Sequence, residues 1–180
     1  MPDDMRQALA MSLRDDDARQ VALDMDAWTK ERLRELTDSI AGDPRMAAFY
    51  ADIADDNVKI RLRFLSTFPA LTAAALADAD MLVMTRTENL DRWLDERRVF
   101  SVPVGSEQRF PLFQFANGHP IPVIADALAA LPADLSAWET AFWFVSSNTW
   151  LGGPTPLSLL ESEPAAVIDA ASHERDEIAG

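Results

Sequence analysis

The chain has 180 residues, 48% of them hydrophobic and none of them cysteine. That is enough to bury a sizeable core in one domain or two small ones, and it excludes disulfides, thiolate nucleophiles and cysteine-bound zinc. Sixteen bases against 30 acids give a formal net charge of -14, which argues against a protein that coats nucleic acid with clustered cations.

No apolar run approaches the ~20 residues that a bilayer crossing needs. The opening Met1-Pro2-Asp3-Asp4 is acidic where a secretory leader would be basic, so a cytoplasmic location without membrane contact is expected. The charge is unevenly spread: residues 1–69 hold 14 acids and 10 bases, residues 70–115 hold 7 and 5, and residues 116–180 hold 9 and 1. The acidic last third suits a basic partner, or serves solubility alone.

Three regions follow from the patterning, at 1–69, 70–115 and 116–180, and the fold class expected is mainly α. Residues 3–41 read as helical, with Leu33, Leu36 and Ile40 on one stripe and Lys30, Glu31, Arg34 and Glu35 opposite. Gly42 ends that helix and Asp43-Pro44 starts another, the acid as cap and the proline at the first helical position. Met46, Phe49, Tyr50, Ile53, Ile60 and Phe64 carry the apolar stripe on to Phe68-Pro69. Two such helices make an antiparallel hairpin, which either packs on its own core or forms a homodimer.

In the middle region, Ala70 to Ala79 reads as a short helix and Met81 to Met84 as an apolar connection. Thr85 or Thr87 then caps a helix to about Arg98, with Leu90, Trp93 and Leu94 inward. That spacing suggests a helix-turn-helix whose second helix would enter a major groove. Val99 to Val104 alternates like a strand, Gly105-Ser106 turns, and Arg109 to Phe115 returns, giving a wing-like hairpin. Residues placed to meet DNA are Arg86, Thr87, Asn89, Arg92, Arg97, Arg98 and Arg109. The helix is neutral, its four arginines balanced by Glu88, Asp91, Asp95 and Glu96.

Leu90 to Val102, Val104-Gly105, Arg109-Phe110-Pro111 and Phe113-Gln114-Phe115 resemble the recognition helix and wing of bacterial regulators in which an excisionase- or MerR-like helix-turn-helix precedes a toxin-binding domain. That family usually has glycine where Arg97 stands and a small-residue turn where this chain has Met81-Leu82-Val83-Met84, so the element is a degenerate version.

Ala116-Asn117-Gly118-His119-Pro120 is a turn with residues suited to positive φ. His119 has no nucleophile or second imidazole near it in sequence and reads as a turn residue. Pro122 to Leu131 forms a short helix with Val123, Ile124, Ala127 and Leu128 inward. Ser136 and Glu139 form a capping box that opens a helix with Trp138, Ala141, Phe142 and Val145 on one face, and with Trp143 and Phe144 elsewhere.

That apolar run ends near Trp150-Leu151, where Gly152-Gly153 makes a joint that can adopt positive φ. Thr155-Pro156 caps and starts the next helix, whose buried side would hold Leu157 and Leu160, with Leu159 as a further candidate. Pro164 begins a last helix carrying Val167, Ile168 and Ala171.

Asn148, Leu151-Gly152-Gly153, Thr155-Pro156-Leu157 and Leu160, followed by an Ala/Val-rich helix, resemble the C-terminal toxin-binding domain of Xre/MbcA/ParS-type bacterial antitoxins, over roughly the last 45 residues. The resemblance implies that Asn148, Trp150, Leu151, Gly152, Gly153, Thr155 and Arg175 bind a cognate toxin, and that the tail can lie against the toxin's NAD pocket.

The expected protein is therefore a non-enzymatic antitoxin-like regulator, needing no cofactor and no metal. It would neutralise a RES-type, NAD-consuming toxin through its C-terminal domain and, as a homodimer, bind operator DNA through the central segment. The alternatives are a stand-alone transcription factor and a protein-interaction adaptor that has lost DNA binding. No phosphate-cradling glycine loop and no nucleophile-base pair at recognisable spacing speaks for an enzyme.

Overall fold

In a computed structural model, the structure describes residues 44–78 and 87–178. The helix read at 3–41, the Met81–Met84 connection, Thr85 and Arg86 lie outside the described residues. The chain divides into two compact units, one of residues 1–69 with 104–107 and one of residues 70–103 with 108–180. The described part is mainly helical with small antiparallel sheets.

In the first unit the described helix is α1 (Pro44–Thr67), with proline at its start as the sequence reading expects. The hydroxyls of Ser66 and Thr67 each donate to the Arg63 carbonyl at 2.8 Å. Pro69 then disfavours helical geometry at Phe68, and the helix stops. Phe64 and Leu65 are buried, but Ile60, expected on the buried stripe, is 50% exposed.

The second unit opens with a correction. Residues 70–79 do not form one helix: Ala70–Thr72 is a strand, β1, and the helix α2 occupies only Ala73–Asp78. The Thr72 hydroxyl accepts the Ala75 amide at 3.2 Å, an N-cap bond that fixes the helix start after Thr72. The next described elements are α3 (Thr87–Asp95), β2 (Val102–Val104) and β3 (Glu107–Pro111). β3 lies between β1 and β2, and it pairs antiparallel with β1 so that Ala70, Leu71 and Thr72 face Pro111, Phe110 and Arg109. α2 touches both β1 and α3.

α3 ends at Asp95, three residues before the expected Arg98. The Arg98 amide donates to the Trp93 carbonyl at 2.7 Å and the Arg97 amide to Leu94 at 2.9 Å, with Arg97 at φ +52°. This is a Schellman cap with arginine in the left-handed position that glycine usually fills. Leu90 and Trp93 are buried as expected and Leu94 is half-buried.

The return strand also stops early, at Pro111, because Leu112–Gln114 coils into a single 3₁₀ turn. That turn places Gln114 wholly inside, where its amide donates to the Phe100 carbonyl at 2.8 Å and accepts from the Phe100 amide at 2.9 Å. β4 (Phe115–Ala116) and β5 (His119–Pro120) then form a tight hairpin, with Asn117 at φ +51° and Gly118 at φ +77°. This is the turn the Asn-Gly pair announces.

The last helices are α4 (Pro122–Ala130), α5 (Ala137–Val145), the single turn α6 (Pro156–Leu159) and α7 (Pro164–Ile178). α4 packs along α7, with Ile124, Ala127 and Leu128 on one side and Val167, Ala170 and Ala171 on the other, all buried. Alanines at such a contact let helix axes approach closely. Ala170 takes the place expected of Ile168, which is half-buried.

The expected capping box at α5 is formed: Ser136 N–H donates to the Glu139 carboxylate at 2.7 Å, and its hydroxyl accepts the Glu139 amide at 3.3 Å. On α5 the buried residues are Trp138, Thr140, Ala141, Trp143 and Phe144, whereas Phe142 and Val145 are half-buried. The Phe144 ring stacks on Phe100 at 5.7 Å and 2°, and Phe113 lies 6.0 Å from both. This aromatic cluster joins the middle and C-terminal segments into one core.

Candidate partner-binding surface

The loop from Ser147 to Thr155 is closed by its own backbone. The Asn148 amide donates to the Pro154 carbonyl at 3.1 Å, and the Gly153 amide returns to the Asn148 carbonyl at 2.9 Å. The Gly152 amide donates to the Thr149 carbonyl at 3.0 Å, and the Ser147 hydroxyl donates to the Gly153 carbonyl. Gly152 and Gly153 adopt φ +72° and +112°. A Cβ on Gly152 would meet nothing within 4 Å, and one on Gly153 only the Ser147 hydroxyl at 4.0 Å, so backbone angle and not crowding demands glycine there.

Asn148 is buried, and its side-chain carbonyl accepts the Trp150 amide at 2.9 Å. It therefore positions Trp150, which is 50% exposed and is, with Ile60, one of two large apolar side chains standing out among the described residues. The indole stacks on the His173 imidazole of α7 at 4.1 Å and 13°. His173 Nε2 lies 3.5 Å from the Asp169 carboxylate one turn earlier.

On the same loop Gly152, Gly153 and Pro154 are exposed and Leu151 is half-buried, as are Leu157 and Leu159 further along the chain. Pro156 and Leu160 turn into the core instead of Leu157 and Leu160. Thr155 caps α6 by accepting the Ser158 amide at 3.2 Å. Of the expected partner-binding residues, Asn148, Trp150, Leu151, Gly152, Gly153 and Thr155 thus fall on one loop, whereas the Arg175 side chain lies outside the described residues. Sequence reading missed His173 and Asp169, whose four-residue spacing on a helix was the available signal.

The central segment is differently disposed. The α3 start at Thr87 is described, though its side chain is not. Arg92 donates to the Asn89 side chain at 3.3 Å and lies 3.9 Å from Glu96, whose carboxylate is 3.6 Å from Arg98. Arg98 also sits 6.0 Å from the centre of the Trp93 ring. Arg97 points to the Pro132 carbonyl at 3.4 Å, and Arg109 is buried on β3. Asn89, Arg92 and Arg98 share one partly neutralised surface; Arg97 and Arg109 are turned towards the protein.

Chemically these surfaces offer contact. Among the described residues no group of His, Asp and Glu is placed to hold a metal ion, and no helix is long and apolar enough to cross a membrane. No protein-family model, curated protein or solved structure matches the chain.

Proposed function

We propose that the protein is a non-enzymatic, antitoxin-like regulator. Its C-terminal helices dock on a partner toxin, RES-type and NAD-consuming by the resemblance, through the loop that carries Trp150, and neutralise it. The observation that carries this reading is the exposed indole on a loop locked by its own hydrogen bonds. A large aromatic that its own fold covers only in part leaves apolar surface in water, and such residues are the usual anchors of interfaces.

In the same reading α2 and α3 form the helix-turn-helix and β2 with β3 the wing, and a homodimer presents two such elements to operator DNA. The β1-β3-β2 order with α2 and α3 between β1 and β2 supports it, because a winged helix is wound in that order. A second reading, an adaptor without DNA binding, is favoured by Glu96, which engages two of the arginines that phosphates would need.

Co-expression with the product of the adjacent gene, followed by affinity capture, tests the first reading. Recovery of that product at fixed stoichiometry supports it, and recovery of no partner overturns it. Footprinting on the protein's own promoter separates the two readings: protection of a repeated half-site supports the regulator, and an unprotected promoter leaves the adaptor.

A further inference from the structure

We infer that His173 is a positioning residue for the docking indole and that a proton sets its grip: the imidazolium ties Trp150 and its loop to α7 more firmly than the neutral ring does. This rests on the docking role given to the loop above and adds a control on it. The contact is a stack between rings of two different elements, at 4.1 Å and 13°, and it covers one face of an indole that stays 50% exposed. A partner therefore meets an anchor that α7 already holds on one side, and the firmer that hold, the less ordering is left for binding.

Two features make the hold depend on charge. An indole face attracts a cation, and histidine is the side chain that ordinarily changes charge between about pH 5 and 8. The Asp169 carboxylate, one turn earlier on α7, lies 3.5 Å from His173 Nε2, so the charged ring is held by the indole on its face and by an anion at its nitrogen. The His173 side chain is 39% exposed, which leaves it open to protons from solvent.

Few other charges stand near it. The helices packed on α7 are α4 and α6; α4 carries one titratable side chain, the exposed Asp126, and α6 and the loop from Ser147 to Thr155 carry none. Glu161 and Glu163 precede α7, the nearer of them ten residues from His173 and so about 15 Å away along the helix. On α7 itself Glu174 follows His173 in sequence and is half-buried.

The test follows amide hydrogen exchange in the full-length protein labelled with nitrogen-15, at about pH 5.5 and about pH 7.5, each rate being divided by the intrinsic rate at that pH. The Trp150 amide donates to the Asn148 side chain at 2.9 Å, so its protection reports how firmly residue 150 is held. The Ser146 amide, bonded to the Phe142 carbonyl at 2.8 Å at the end of α5, is the reference for the unit as a whole. Trp150 protection is expected to be about two- to fivefold higher at the lower pH, the scale of an exposed cation–π contact, and to exceed any change at Ser146. His173→Phe keeps a flat ring for the indole and removes the charge, so its Trp150 protection should be the same at both pH values.

Trp150 protection that is equal at the two pH values, that rises no more than at Ser146, or that still rises in His173→Phe overturns the inference. Capture of the adjacent-gene product together with any of those results would refute the proton control and leave the docking reading intact. The full expected pattern in a protein that captures no partner would do the reverse.

Discussion

Replacing Gln114 by leucine tests the least expected part of this core. The side chain is fully buried and makes two hydrogen bonds to the backbone of Phe100, at 2.8 and 2.9 Å. Leucine fills nearly the same space, so the substitution removes the bonds with little cavity, and the Phe100 amide and carbonyl lose the partner described for them. An orphaned buried group costs about 1–3 kcal/mol, so the pair together should cost about 2–6 kcal/mol. For a chain of this size that corresponds to a fall in melting temperature of roughly 4–24 °C, at about 2–4 °C per kcal/mol. Thermal unfolding followed by circular dichroism at fixed pH and protein concentration is the assay. A fall of less than about 3 °C would refute the assignment of these bonds as a structural clamp.

Gly153→Ala should destabilise by about 2–3 kcal/mol and Gly152→Ala by about 1 kcal/mol, since +112° lies outside the left-handed basin that an L-residue tolerates and +72° lies at its edge; urea melts would show the order. Arg97→Gly should leave stability unchanged or raise it by up to about 1 kcal/mol, relief at φ +52° offsetting the lost Pro132 contact, and a clear loss in the same melts would contradict the cap described. If the central segment binds DNA, Glu96→Gln should tighten it and steepen its salt slope by about one, measurable by fluorescence anisotropy at two salt concentrations, because Arg92 and Arg98 are released together. The hydroxyl and amide of Ser136 lower the Glu139 carboxyl below its ordinary value, so its contribution to stability is present above about pH 4.3 and is lost as acid titrates the folded state. Acid unfolding of Glu139→Gln should accordingly show a shallower pH dependence between about pH 5 and 3 than wild type.

Much of the local structure could be read from residue types alone. The capping box at Ser136, the Asn117-Gly118 turn, the proline start of α1 and the glycine joint at 152–153 are set by short-range chemistry, which the chain states outright. β1 was not legible because Ala70-Leu71-Thr72 has no strand signature and owes its form to pairing with Arg109–Pro111. Gln114 was equally hidden, since its role depends on where a 3₁₀ turn aims it.

For the candidate surface, Leu151-Gly152-Gly153 and Thr155 are residues that the structure gathers on one loop closed by its own backbone bonds. Stacking of His173 on Trp150 joins residues 23 positions apart and could not be counted out along one helix. Arg97 and Arg109 looked available for phosphate because arginine on a neutral helix or hairpin usually is. Their directions were settled by the cap at Arg97 and by burial on β3.

The Phe100, Phe113 and Phe144 cluster bears on how such proteins can be taken apart. Severing the chain between residues 115 and 116 would strip Phe144 from its stacking partner and leave oily faces on both fragments. Grafting either half onto another scaffold is therefore a recipe for insoluble material, and a splice at residue 69 would still divide a compact unit, because the first one takes in residues 104–107 as well as 1–69.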